Sequence, residues 1–204
     1  MKNTLIINTH QKYEGISSGS LNKFYVESMS AELRTAGFQV KTTNVENGYK
    51  IGDEIEKHEW ADFIIVQSPV YWFGAPYIHK KYIDEVFTQA LKNEKFVASD
   101  GRSRDDPNKQ YGTGGLMRGK QFMLSLTWNA PENAFNDKKQ FLMEGRSADD
   151  LFFHITAAYK FCGANILPTF SSYDVMKNPS IGKDAQQLKQ HIKDHIISKD
   201  ELVA

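Results

Sequence analysis

The alternation of short apolar runs with longer segments of helical period constrains this chain most. Leu5-Ile6-Ile7 fits a buried parallel strand. A loop rich in glycine and serine follows. Leu21, Phe24, Tyr25, Met29 and Leu33 then recur at helical spacing, and Gly37 closes that helix. Residues 38–45 read as a second strand and residues 53–60 as a short helix. Asp62-Phe63-Ile64-Ile65-Val66-Gln67 is the clearest strand, ended by Ser68-Pro69. Pro76 suits a helix start, and Ile78, Tyr82, Ile83, Val86, Phe87, Ala90 and Leu91 mark one helical face. Strands at residues 121–127 and 166–170 and helices at 148–161 and 184–197 complete the series. Five strands alternating with helices predict an α/β fold with a mainly parallel sheet and helices on both faces.

Size and charge narrow the function. A chain of 204 residues exceeds one compact domain of ~150 residues only modestly. The expectation is a single domain over residues 1–204 with an insertion at about 92–119, a polar stretch without period. Lysine and arginine number 25, aspartate and glutamate 25, so the net charge is zero. No global field favours a polyanion, and a nucleic-acid partner is not expected. The single cysteine, Cys162, excludes a disulfide within the chain and reads as a partly buried structural thiol. No apolar run approaches the ~20 residues of a membrane span, and the run at the start is shorter than the ~7–15 of a signal core. A cytoplasmic location is the expectation.

Open α/β sheets bind ligands outside the carboxyl ends of their strands. After strand one, Ser17-Ser18-Gly19-Ser20-Leu21-Asn22 opens a helix. Small hydroxyl residues and free N–H groups at a helix start suit a phosphate. The same segment also reads as a simple capped start, with Ser18 or Ser20 as cap. It lacks the lysine of a Walker loop and the spacing of a dinucleotide fingerprint. Gly15-Ile16-Ser17-Ser18-Gly19 matches the hydrolase elbow pattern, but Ser17 lies too far past the strand for that turn. After strand three, Tyr71, Trp72 and Phe73 sit together between two prolines, an arrangement that can hold a planar ring. Trp128 and Asn129 follow strand four. A phosphate loop beside flat aromatic walls points to a planar, phosphate-bearing cofactor. His191 and His195 share a helix face without a third ligand, so a solvated face is expected there. His58-Glu59-Trp60 is not a zinc motif.

Ser68-Pro69-Val70-Tyr71-Trp72-Phe73-Gly74-Ala75-Pro76, Lys80-Lys81-Tyr82-Ile83-Asp84 and Val86-Phe87-Thr88 resemble the flavodoxin-like NADPH:quinone oxidoreductases. Further matches are Ser99-Asp100-Gly101-Arg102, Lys109-Gln110-Tyr111-Gly112-Thr113-Gly114-Gly115-Leu116 and Leu124-Ser125-Leu126-Thr127-Trp128-Asn129-Ala130-Pro131. Leu167-Pro168-Thr169-Phe170 and Asp174-Val175-Met176-Lys177 extend the likeness over most of the chain.

The resemblance implies a flavodoxin-like fold, FAD rather than FMN, NADPH as donor, and a homodimer with active sites at its interface. It assigns Ser17, Ser18, Gly19, Ser20, Leu21, Asn22, Lys23 and Phe24 to the diphosphate and its helix. Val70, Tyr71, Trp72 and Phe73 would follow the isoalloxazine, and Thr127, Trp128, Asn129 and Ala130 its other edge. Tyr111, from the insertion, would be the remaining contact and the side chain that orients or protonates the quinone. Donor and quinone would use one space in turn, a ping-pong scheme. The resemblance leaves two alternatives: a flavin-binding regulatory subunit of an ion-efflux system, and an azo or nitro reductase. A one-electron shuttle would be strongly acidic, and this chain is neutral.

Overall fold

The computed structural model describes residues 2–198. Its parallel sheet is built from β1 (Asn3–Asn8), β2 (Gln39–Asn44), β3 (Phe63–Pro69), β4 (Gln121–Thr127), β5 (Asn165–Ile166) and β6 (Phe170–Ser172). The order is β2-β1-β3-β4-β5, with β6 also pairing to β4. The helices are α1 (Ser20–Thr35), α2 (Ile51–Trp60), α3 (Tyr77–Lys92), α4 (Ala148–Phe161) and α5 (Ile181–Ile192), the last continued by a π-helical turn over Lys193–Ile197.

Strand side chains alternate across the sheet, and this sorts the core into two layers. Leu5, Ile7, Ile64, Val66, Phe122 and Leu124 point to the layer holding Ile55, Tyr82, Val86, Phe152 and Tyr159 of α2, α3 and α4. Ile6, Ile65 and Met123 point the other way, onto Tyr25, Met29, Leu33, Leu188 and Ile192 of α1 and α5. The central strands are apolar on both faces because helices cover both.

Three local expectations change. The strand expected at residues 166–170 is two short strands, because Pro168 has no N–H to give the ladder. Leu167 N still reaches Phe122 O at 2.8 Å, and the chain rejoins β4 at Phe170. Helix α1 is capped by Gly19 in the left-handed region (φ 81), with no side-chain cap. Ser18 and Ser20 bond each other at 3.3 Å instead of the backbone. His191 is half-buried rather than solvated: its Nε2 lies 2.9 Å from Pro168 O and its ring packs on Phe170.

The segment between α3 and β4 closes on itself at a short neck. Ala98 N donates to Gly114 O (3.0 Å) and Leu116 N to Phe96 O (2.9 Å). Gly115 packs directly on the backbone of Cys162 and Gly163 at the end of α4. Cys162 is buried there, and burial pushes its thiol up to about 12. His58 is enclosed by Tyr82, Phe87, Phe96 and Tyr159, and burial lowers it to about 4.

Candidate cofactor site

Three loops meet at the carboxyl ends of β1, β3 and β4, and buried amides lock them together. Gln67 Nε2 donates to Asn22 Oδ1 at 2.8 Å, and Ser125 Oγ donates to Gln67 Oε1 at 2.6 Å. Val70 N donates to Thr127 O at 2.9 Å. This fixes the start of α1 against β3 and β4 before any ligand arrives.

The first loop folds back over the end of β1. Tyr13 and Ser17 pair through both backbone bonds, 3.1 and 2.8 Å. Ser17 Oγ lies 2.9 Å from His10 Nε2 and 2.7 Å from the Tyr71 hydroxyl. Gly19 passes so close over His10 that a Cβ there would sit 2.5 Å from Nδ1. Among the described residues, the N–H groups from Ser18 to Asn22 have no hydrogen-bond partner. Unpartnered N–H groups at a helix start form an anion cradle.

The second loop is a tight turn. Tyr71 N donates to Gly74 O (2.8 Å) and Gly74 N to Tyr71 O (3.1 Å). The two residues between them, Trp72 (φ 52) and Phe73 (φ 64), are both left-handed. Such turns favour glycine and asparagine, and each bulky residue here stores roughly 1–3 kcal/mol of strain. Trp72 is nevertheless 96 % exposed. The turn leaves both N–H groups unpartnered among the described residues and presents two flat rings.

Two cavities result, sharing Val70 and Asn129. One, of about 420 Å³, is lined by Ser17 to Asn22, Tyr71, Thr127 and, across from them, Val175, Met176 and Ile181. The other, of about 480 Å³, is lined by Trp72, Phe73, Trp128, Asn129 and Ala130, with Gln140, Leu142, Met143 and Lys177 opposite. Of the residues singled out in the sequence, these cavities gather Ser17, Ser18, Gly19, Ser20, Leu21, Asn22, Val70, Tyr71, Trp72, Phe73, Thr127, Trp128, Asn129 and Ala130.

Three singled-out residues stand elsewhere. Lys23 reaches Glu27 (3.8 Å) along α1, and Phe24 packs on Tyr25. Tyr111 lies in the insertion, which joins the end of α3 to the start of β4, at the sheet end opposite the loops. Its ring rests on Phe161, at the far end of α4. That helix has 14 residues, and at 1.5 Å per residue it spans about 20 Å. Two other placements qualify the reading. Trp128 is 1 % exposed, wedged against Phe135 and Phe152, so it braces its cavity from within the core. The side chain of Asn22 is spent on Gln67.

Sequence reasoning missed Gln140, Leu142 and Met143. They belong to an irregular segment with left-handed Asn136, Glu144 and Gly145, which carries no periodic signal. It also missed His10, which is 3 % exposed. Burial lowers the pKa of His10, partly offset by Glu46, whose Oε2 is 3.7 Å from Nδ1. Among the described residues, no group of three or more His, Cys, Asp or Glu is placed to hold a metal, and no helix is long and apolar enough to cross a membrane.

A family model described as the flavodoxin-like fold matches residues 2–196. NADPH:quinone oxidoreductase MdaB of Haemophilus influenzae is 41% identical over 179 residues, 88% of this chain and 92% of that protein. The chain belongs to the flavodoxin-like family that contains MdaB. An uncharacterized protein of Schizosaccharomyces pombe is 38% identical over 190 residues, covering 93% of this chain and 95% of its own. Among solved folds, a protein of Klebsiella pneumoniae provisionally assigned as a quinone reductase superposes with a TM-score of 0.74 at 21% identity, over 95% of this chain and 84% of that one. General stress protein 14 of Treponema denticola, solved with FMN, gives 0.61 at 18% identity, with 99% of both chains covered.

Proposed function

We propose that this chain is an FAD-dependent NADPH:quinone oxidoreductase, active as a homodimer. The observation that carries the reading is the pair of cavities meeting at Val70 and Asn129, one walled by an anion cradle and the other by exposed aromatic rings. The MdaB relative carries this activity in its name.

The residues fit a flavin. The cradle from Ser18 to Asn22 suits phosphate oxygens, and the absence of a Cβ at Gly19 keeps the backbone close to His10. Across from the cradle the same cavity is walled by Val175, Met176 and Ile181. Apolar side chains there suit a second heterocycle, and this is the ground for proposing FAD rather than FMN. A bound flavin would supply hydride acceptance from the nicotinamide and delivery to the quinone. Trp72 and Phe73 would aim two free N–H groups at the ring edge, where negative charge gathers on reduction. Leu142 and Met143 would keep water from the opposite wall. Donor and acceptor would occupy this chamber in turn.

A second copy would complete the site. Tyr111 cannot span the length of α4 to reach the cavities of its own chain. It is 68 % exposed, and Tyr77 and Leu91 of α3 and Phe153 of α4 are exposed as well. A two-fold partner packed over these helices would bring its Tyr111 to the chamber and take the Tyr111 of this chain in return. There Tyr111 would orient the quinone oxygen and give it a proton.

The purified protein loaded with FAD should turn over NADPH many times per flavin when menadione is added. No turnover above free flavin would refute the reductase. Tyr111→Phe should lower kcat/KM for the quinone about a hundredfold if it is the proton donor. The dimer has its own test. Chains carrying Gly19→Ala or Tyr111→Ala should be nearly inactive alone and should recover turnover when mixed, because one site of each mixed pair is intact. If mixing restores nothing, Tyr111 does not act across the interface.

A further inference from the structure

His10 lies one backbone layer beneath the anion cradle and makes no contact with either cavity. Its surroundings are unusual for a buried imidazole. Nε2 faces Ser17 Oγ at 2.9 Å, and Nδ1 faces Glu46 Oε2 at 3.7 Å. The Tyr71 ring meets its edge at 6.3 Å, and the His10 backbone N–H donates to Asn8 Oδ1 at 3.1 Å. Glu46, from the 3-10 turn Val45–Asn47 after β2, is the charged group facing it. Glu46 is held in place by accepting from Lys12 N at 2.6 Å. Ser17 itself lines the cavity.

We infer that His10 is a positioning residue that takes up a proton when a diphosphate enters the cradle, and so turns the Ser17 hydroxyl into a donor to it. The inference rests on the cofactor reading above. With His10 neutral and Nδ1–H toward Glu46, Nε2 accepts from the Ser17 hydroxyl, whose proton is then unavailable to a ligand. With His10 protonated, Nε2–H donates to Ser17 Oγ. The Tyr71 hydroxyl goes on donating to Ser17 Oγ at 2.7 Å, so the Ser17 O–H is released to donate to a phosphate oxygen. The imidazolium then sits between Glu46 and the diphosphate, with an anion on each side.

The direction of the pH effect follows. In the free protein, burial holds His10 below its ordinary value of 6.5. A nearby diphosphate favours the charged form and raises it. Affinity therefore strengthens as pH falls through the bound-state pKa, and levels off below the free-state one. One linked proton sets a ceiling of about tenfold per pH unit. FAD is the suitable probe, since its diphosphate stays fully charged here whereas a monoester phosphate titrates near pH 6.

Flavin fluorescence titration of the apoprotein should show FAD binding several-fold tighter at about pH 6 than at about pH 8. Calorimetry of the same binding in buffers of different ionisation enthalpy should show uptake of a fraction of a proton, up to one. His10→Gln, which keeps a hydrogen bond to Ser17 and cannot titrate, should bind FAD with a flat pH profile and no proton uptake. Saturable FAD binding with a flat wild-type profile and no proton uptake would overturn the role of His10 alone. An apoprotein that binds no FAD at any pH would overturn the cofactor reading as well. A wild type that binds FAD without proton uptake overturns the role of His10 even if the variant fails to fold.

Discussion

Gly19→Ala should purify almost free of flavin while remaining folded. The residue holds φ 81, where an alanine costs about 1–2 kcal/mol. Its new methyl would also lie 2.5 Å from His10 Nδ1 and 2.6 Å from Cε1. His10 has little room to retreat, because it is buried, bonds Ser17 through Nε2 and meets the edge of the Tyr71 ring. The loop must lift instead, and every N–H in the cradle moves with it. An anion site built from backbone donors tolerates displacements of only a few tenths of an ångström. The expected loss in FAD affinity is about a hundredfold, or roughly 2.7 kcal/mol. Gly52→Ala is the control, since a Cβ there meets nothing within 4 Å. Equal flavin content in wild type and Gly19→Ala would show that the diphosphate binds elsewhere.

Gly115→Ala should be the most destabilising of these substitutions. A Cβ at that position would fall under 3.0 Å from the carbonyl of Cys162 and the nitrogen of Gly163. These are backbone atoms, so no rotamer change relieves the clash. The neck of the insertion must pull away from α4, losing the Met117 N to Cys162 O bond of 2.8 Å. Overpacking of this kind costs about 3 kcal/mol. For a chain of this size each kcal/mol lowers Tm by roughly 2–4 °C, so a drop near ~10 °C is expected in thermal melts. The cradle lies at the other end of the sheet, so FAD affinity should change little. A Tm within ~2 °C of wild type would mean that the neck is not the clamp described.

The layers of the fold were legible because parallel strands covered on both faces must be apolar throughout. Ile64-Ile65-Val66 and Phe122-Met123-Leu124 say this without help from the rest of the chain. The break at Pro168 was in the sequence too, yet the flanking Leu167 and Phe170 carry the same apolar signal as a continuous strand. The cradle and the aromatic turn were legible as types of residue at strand ends. Their backbone was not. Nothing in Tyr71-Trp72-Phe73-Gly74 announces two left-handed residues, since such turns normally advertise themselves with glycine or asparagine. The wall formed by Gln140, Leu142 and Met143 was invisible because irregular chain has no period to detect. Tyr111 shows a different limit. Its motif was read as part of the site, but a motif does not say at which end of the sheet a residue will stand.

The placement of the insertion has a further consequence for how the protein would behave in a cell. With the cradle at one end of the sheet and Tyr111 beside Phe161 at the other, a lone chain would hold flavin and yet lack a finished reaction chamber. On that reading catalytic capacity follows mass action: it would rise with the square of protein concentration while dimers are scarce, then linearly once they dominate. Abundance itself would then act as a switch, with sparse chains storing cofactor and plentiful ones turning it over.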